Sequence, residues 1–253
     1  MLTKDLAVCI RVVDFSETSQ IVTFFTKATG KISAIAKGSK RPKSAFDGPI
    51  EILSYGKIVF SDTKKEKLAT LTEFESASGT AGFAGLQKNL FALNCCLFAA
   101  ELLNSLTHDY DPHPELFDSF LQFLQDTNEK ENKDRILTLL ILFQLSLLKE
   151  VGLQPILSHC ANCKKPCRVG LAPPFSSETY FSSSANGLVC RDCEASFPDK
   201  IRLSNSAANC LSNLNQITKA TKKTLIEIEK VLIHHFTEIL HRQPKMAKHI
   251  LHG

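Results

Sequence analysis

Residues 30–44 read GKISAIAKGSKRPKS, and the fold turns on how this stretch is understood. In its first half Ile32, Ala34 and Ala36 alternate with Lys31, Ser33 and Ile35, a period of two that specifies a strand rather than a helix. In its second half Gly38 and Pro42 break the strand, so GSKRPKS reads as an exposed loop. Lys31, Lys37, Lys40, Arg41 and Lys43 fall here with no acid among them. A strand that delivers cations to a loop suits a phosphate backbone, because loop cations can follow an irregular line of negative charge. The competing reading is a solubilising loop on an ordinary β-domain.

More strands lie on either side. Leu6, Val8, Ile10 and Val12 alternate with Ala7, Cys9, Arg11 and Val13 as a first strand, and 20–26 (QIVTFFT) is a second. Residues 28–31 close a tight connection in which Gly30 is free to take a positive φ. A long fourth strand is expected over 50–61 (IEILSYGKIVFS), with Gly56 where a curved sheet bulges, and a fifth over 68–76 (LATLTEFES). Five strands in under 80 residues, with no competing helical period, fit a small closed barrel of the OB type.

Beyond Gly79, Gly82 and Gly85 the period becomes helical, with Leu90, Leu93, Leu97 and Leu102 on one face. A second helix spans 116–125, with Pro114 at its first position and Glu115 in its first turn. Residues 126–134 form a polar connector. The third helix, 135–152, is apolar on nearly every side and belongs at the centre of a helical domain. An amphipathic helix over 225–240 and a basic tail end the chain. The expected architecture is α+β and multi-domain. It comprises an OB barrel over 1–78, helices over 79–155, a cysteine-bearing insertion over 156–197 and a C-terminal helical part over 198–253.

Cys160-Ala-Asn-Cys163 and Cys190-Arg-Asp-Cys193 are two CxxC pairs separated by fewer than thirty residues. Each can place two thiolates on one metal, and together they make a tetrahedral four-cysteine site with Zn–S bonds of about 2.3 Å. Lys164, Lys165, Arg168 and Arg191 surround them and offset the thiolate charge. Four thiolates close the coordination, so the expected zinc is structural rather than catalytic. Cys167 and His159 are nearby spare ligands, while Cys9, Cys95, Cys96 and Cys210 sit in apolar patterns as small core residues. His234, His235, His241, His249 and His252 read as surface histidines on a basic helix.

The net charge of the 253 residues is only +4, but it is unevenly spread. Residues 1–48 carry eight Lys or Arg against four acids, 101–135 carry nine acids against three bases, and 200–253 carry nine bases against three acids. Basic ends flanking an acidic middle suggest a polyanion partner for the ends. There is no signal-peptide pattern, and the most apolar run, 136–148, is too short and interrupted to span a bilayer. The expectation is a cytoplasmic protein with reduced cysteines and no membrane contact. No Walker A, GxGxxG, HExxH or GxSxG motif is present, and no residue set reads as a catalyst.

The segments IRVVDFSETSQIVTFFTKATGKISAIAKGSKRPKS (10–44), LLKEVGLQP (147–155) and FSSSANGLVCRDC (181–193) resemble the RecO family of bacterial recombination mediators. The layout of barrel, helical domain and four-cysteine zinc finger is similar to that family nearly throughout, although Asn186 stands where members often have an extra Gly, and some members lack the cysteines. The resemblance implies a non-enzymatic, nucleoid-associated protein of recombinational DNA repair. It implies binding of single- and double-stranded DNA, annealing of complementary strands, and loading of RecA with RecR onto DNA coated by single-strand-binding protein (SSB). It further implies capture of the acidic SSB tail in the helical domain, for which Arg135 is a candidate cation. Lys31, Lys37, Lys40, Arg41, Lys43 and Arg11 are the expected DNA contacts. The alternatives are a zinc-stabilised OB-fold RNA-binding or ribosome-associated factor and an architectural scaffold with an incidental basic loop.

Overall fold

The structure is a computed structural model that describes residues 2–41, 44, 46, 48–61, 68–77, 83, 85–129, 132–167 and 178–251. It divides into two compact units, Met1–Glu129 and Lys130–Gly253.

In the first unit β1 (Leu2–Asp14), β2 (Gln20–Thr26), β3 (Gly30–Ala36), β4 (Tyr55–Ser61) and β5 (Ala69–Ser76) close into a barrel. Around the barrel the order is β1-β2-β3-β5-β4, and only the β3–β5 pairing is parallel. The five-stranded OB-type barrel expected from the sequence is therefore present. Ile32, Ala34 and Ala36 of the opening stretch point inward with Phe24, Ile58, Phe60 and Leu71, as period-two burial requires.

Two details differ from the sequence reading. The inward face of β1 is Ala7 and Cys9, with Val12 packed against the same cluster, while Val8 and Ile10 are buried outside it. A bulge between Cys9 and Arg11 shifts the alternation by one. The fourth strand begins at Tyr55, not at residue 50. Leu53 takes a φ of 68°, and the 50–54 turn bonds back to β1, where Leu53 N–H donates to Cys9 O at 2.7 Å and Cys9 N–H donates to Ser54 O at 2.8 Å. Gly56 lies away from the irregularity in the β4–β5 pairing, which falls opposite Val59 and Phe60 and leaves Thr72 of β5 as the extra residue; a Cβ at Gly56 would collide with the Glu75 carbonyl.

Two helices, α1 (Leu90–Leu106) and α2 (Pro114–Asn128), pack on this barrel. Asn89 caps α1 by accepting from Phe91 N–H and Ala92 N–H. Pro114 and Glu115 open α2 as expected. The helix runs to Asn128, because Thr127 carries the buried stripe of Phe120, Phe123 and Leu124 past the expected end at residue 125.

The second unit is built on α3 (Lys133–Glu150), whose residues from Ile136 to Leu148 are largely buried. A small sheet follows, with β6 (Thr179–Ser182) between β7 (Gly187–Cys190) and β8 (Ile201–Leu203). Then come α4 (Asn205–Ser212), α5 (Lys222–Leu240) and α6 (Ala247–Leu251). α5 packs against α3. No helix among the described residues is long and apolar enough to cross a membrane.

The α3–α5 core contains polar groups that the sequence reading placed at the surface or did not single out. His235 is buried with its ring edge-on to Phe181 at 5.2 Å, because it lies on the apolar stripe of α5. Gln144 Nε2 donates to Glu229 Oε1 at 2.8 Å, and both side chains are buried. Burial pushes Glu229 up to about 7, opposed by that one hydrogen bond. Burial, reinforced by His234, holds His235 down at about 4.

These two shifts act in opposite directions with pH. The Glu229 contribution is intact below its ordinary 4.5 and is lost as pH rises through 7. The His235 contribution is intact above its ordinary 6.5 and is lost as pH falls towards 4. Glu229→Gln removes the first and keeps the hydrogen bond from Gln144. The variant is expected to be more stable than wild type at pH 8, by roughly 2–3 kcal/mol, and to show an unmasked acid loss below pH 6.5. Denaturant midpoints at several pH values check this, and a variant that tracks wild type throughout refutes it.

Candidate metal centre and nucleic-acid interface

The first cysteine pair sits in a tight turn. Lys164 N–H donates to Cys160 O at 2.9 Å, Cys160 N–H donates to Lys165 O at 2.8 Å, and Lys164 takes a φ of 62°. The second pair begins on the last residue of β7, and Cys193 N–H donates to Cys190 O at 3.0 Å. Backbone bonds join the turns: Ala161 N–H donates to Leu188 O at 2.7 Å, and Cys190 N–H donates to Cys160 Sγ at 3.4 Å. Lys165 and Asp192 link them at the surface at 3.1 Å.

As a result Cys160, Cys163, Cys190 and Cys193 bring their sulfur atoms within 4.8 Å of one another, with Cys163 Sγ and Cys190 Sγ 3.6 Å apart. A tetrahedral ion with Zn–S bonds of about 2.3 Å separates its sulfurs by about 3.8 Å, so the set can hold a metal ion. Burial alone would raise the Cys160 thiol, but the backbone N–H groups of Cys163, Cys190 and Asn162 bring it down to about 6. A thiolate is therefore available near neutral pH. Neither expected spare joins the four. Cys167 is buried, and that burial, with the charge of Cys160 and Cys163, pushes it up to about 12. His159 Nδ1 pairs with Ser158 Oγ at 2.9 Å. Arg168 lies outside the described residues.

The structure separates the expected DNA contacts. Lys31 is not at a loop tip. Its ammonium donates to Asn104 O at 2.9 Å and Thr107 O at 2.6 Å, and lies 3.5 Å from Asp109. Its side chain closes the C-terminal end of α1 and is only 12% exposed. It is thus taken up inside the first unit, which sets it apart from the other cations expected to contact phosphate. Lys40 forms an ion pair with Asp14 and is half-buried. Arg11, Lys37 and Arg41 are exposed. Lys43 lies outside the described residues.

The loop after β3 is knitted to the β1–β2 connection. Lys40 N–H donates to Thr18 O at 3.1 Å, and Gly38 N–H donates to Ser19 Oγ at 3.2 Å. The buried Gln20 accepts from Ser39 Oγ and from Ile50 N–H, each at 2.9 Å, and donates to Ile50 O at 3.2 Å. Of the barrel aromatics Phe46 is buried and Tyr55 half-buried, whereas Phe15, in the β1–β2 connection, is 59% exposed. An exposed aromatic, Lys37 and Arg41 thus sit on two joined loops. Phe15, Phe46 and Tyr55 are all candidate stacking aromatics by sequence, which does not tell which is exposed, and the role of Gln20 was not identified, since exposure and cross-loop bonding have no local signature. Arg135 is exposed in the first turn of α3, where its N–H donates to Asn132 Oδ1 at 3.2 Å.

Comparison with known proteins agrees with this architecture. The pattern described as "Recombination protein O N terminal" matches residues 1–80, and that described as "Recombination protein O C terminal" matches residues 87–248. The DNA repair protein RecO of Rhodopirellula baltica is 34% identical over 212 residues, covering 84% of this chain and 73% of that relative. The DNA repair protein RecO of Bacillus subtilis is 29% identical over 241 residues, covering 90% and 88%. That of Bacillus pumilus is 29% identical over 246 residues, covering 94% and 89%. With both halves matched and a curated relative above 30% identity aligned over most of the chain, this protein belongs to the RecO family of DNA repair and recombination proteins.

Proposed function

We propose that the chain is a non-enzymatic recombination mediator that binds single- and double-stranded DNA through the barrel, anneals complementary strands, and acts with RecR to load RecA onto SSB-coated DNA. The observation that carries the DNA part is the joined loop pair: exposed Lys37 and Arg41 beside exposed Phe15 on an OB-type barrel. Cations track phosphates and the aromatic ring offers a stacking face, which is how such barrels hold single strands. Arg11 is a further exposed cation, and Lys40 is available once its Asp14 pair is exchanged for phosphate. The metal is taken as zinc, since four thiolates suit it and the site has no open position for catalysis. Arg135 stands as the candidate cation for the SSB tail, and the membership of the family supports RecR and RecA as partners.

The test is fluorescence anisotropy of a labelled single-stranded oligonucleotide across a salt series. Lys37→Ala with Arg41→Ala is expected to lower the salt slope by roughly 1.4, at about 0.7 for each phosphate no longer neutralised. Phe15→Ala is expected to weaken binding by about 1–3 kcal/mol with little change of slope. Lys31→Met gives the opposite pattern: an unchanged slope and a fold destabilised by roughly 1–3 kcal/mol, because two carbonyls at the end of α1 lose their donor. Unaltered affinity in the loop and Phe15 variants would remove the barrel face. Annealing of SSB-coated strands distinguishes the mediator from an RNA-binding factor, which should not support it.

A further inference from the structure

The start of α5 breaks a local rule. Lys222 and Lys223 occupy its first turn, which holds no acid, although the positive end of a helix favours Asp or Glu there and disfavours cations. Lys219 ends the 3₁₀ turn Leu214–Lys219 just before it, and Lys230 lies two turns further on. All four lysines are exposed, and none makes an ion pair among the described residues. The one acid on this face, Glu227, is engaged: it accepts from Ser204 N–H at 2.6 Å and from Ser204 Oγ at 2.7 Å. Lys222, Lys223, Ile226, Glu227 and Lys230 line an open groove of about 580 Å³. Local preferences that fail without compensation inside the fold mark functional surface.

We propose that this groove is a second nucleic-acid strand site, separate from the barrel loops; the inference rests on the DNA-binding reading above. From Lys222 to Lys230 the helix advances about 12 Å, so the ammonium groups form a line rather than a point. A line of cations suits successive phosphates, whose charge offsets the unfavourable cations at the helix start. The floor is one half-buried isoleucine and lysine methylenes, a shallow apolar surface on which a sugar or base can rest. An acidic peptide with an apolar anchor is the competing occupant, but it needs a deep pocket to bury that anchor, and this groove is open along the helix. A chain with one strand site on the barrel and another on α5 can hold two strands at once, which annealing requires.

The test uses the full chain with Lys219, Lys222, Lys223 and Lys230 all changed to Gln, alone and combined with Phe15→Ala, Lys37→Ala and Arg41→Ala. The four-lysine variant is expected to lower the anisotropy salt slope by roughly 2–3, at about 0.7 per phosphate. The barrel variant should retain weak binding that the combined variant loses. The four Lys→Arg changes should restore it. Photocrosslinking of a 4-thiothymidine oligonucleotide to wild-type protein should label the peptide spanning residues 219–230, which decides the matter even if a variant folds poorly. If the four-lysine variant keeps the wild-type slope and no crosslink falls in 219–230, the second site is refuted, while the barrel variant's own loss still stands for the primary reading. If the variant keeps DNA binding but loses a labelled Asp/Phe-rich peptide, the groove belongs to an acidic protein partner and the proposal is overturned.

Discussion

Changing Cys163 and Cys190 together to serine is expected to take the metal content of the purified chain from about one ion to nearly none. The change removes one sulfur from each turn of the four-sulfur cluster, so neither turn keeps a pair and the tetrahedral shell cannot close. Binding of a structural zinc ion is worth roughly 10–16 kcal/mol in small metal-dependent modules. Besides a few backbone bonds and the Lys165–Asp192 pair, only short strands support these turns: β6, β7 and β8 contain four, four and three residues. The variant should therefore loosen the two cysteine turns and α4, which packs on β6 and β8. Colorimetric thiol-metal assay and limited proteolysis read the two effects. Cys167→Ser serves as the control and should keep its metal, since Cys167 stands outside the cluster. Wild-type protein that carries no stoichiometric metal after gentle purification would sink the zinc assignment.

Gly30→Val should destabilise the first unit by about 3 kcal/mol or more, read as a fall of roughly 10 °C in its thermal midpoint. Gly30 has a φ of 84°, a region costly for a β-branched residue. A Cβ there would also collide with the backbone carbonyl of Asp111 in the α1–α2 connection. That connection lies along the start of β3, where Tyr110 N–H donates to Lys31 O at 2.9 Å. Gly30 and Lys31 therefore seat the barrel on its two helices, and Lys27 adds an ion pair to Asp118 on α2 at 2.8 Å. A Gly30→Val chain that melts with the wild type would mean that this seam contributes little. The same variant should bind oligonucleotide normally at low temperature, because Lys37, Arg41 and Phe15 lie on other loops.

The stretch at 30–44 shows what a sequence can and cannot disclose. Its alternation marks a strand, and Ile32, Ala34 and Ala36 of that alternation lie inside the barrel, since burial on a pleated strand follows a fixed period. Its cations could not be sorted in the same way. Lys31 is held by carbonyls 73 and 76 residues away, and nothing near it in sequence announces an α1 C-terminus. Lys40 likewise meets Asp14 from another strand end. The change of inward phase along the first strand, from Ala7 and Cys9 to Val12, has no sequence signal, because a bulge adds a residue without changing composition. Residues 50–54 read as strand by hydrophobicity, yet their backbone groups bond across to β1 and to Gln20 instead.

By itself the sequence determined the features whose physics is local or strictly periodic. These are the five-strand count of the barrel, the apolar central helix α3, the opening of α2 at Pro114 and the two CxxC turns of the four-cysteine cluster. Tertiary structure alone decided which cations stay free, which aromatic faces solvent, and that His235, Gln144 and Glu229 lie inside the second unit. Charge and polarity are properties of a residue, but their availability depends on whatever the fold brings within hydrogen-bonding reach. That information is carried by contacts between distant segments, such as Lys31 with the end of α1 or Glu227 with Ser204, and no local pattern encodes it.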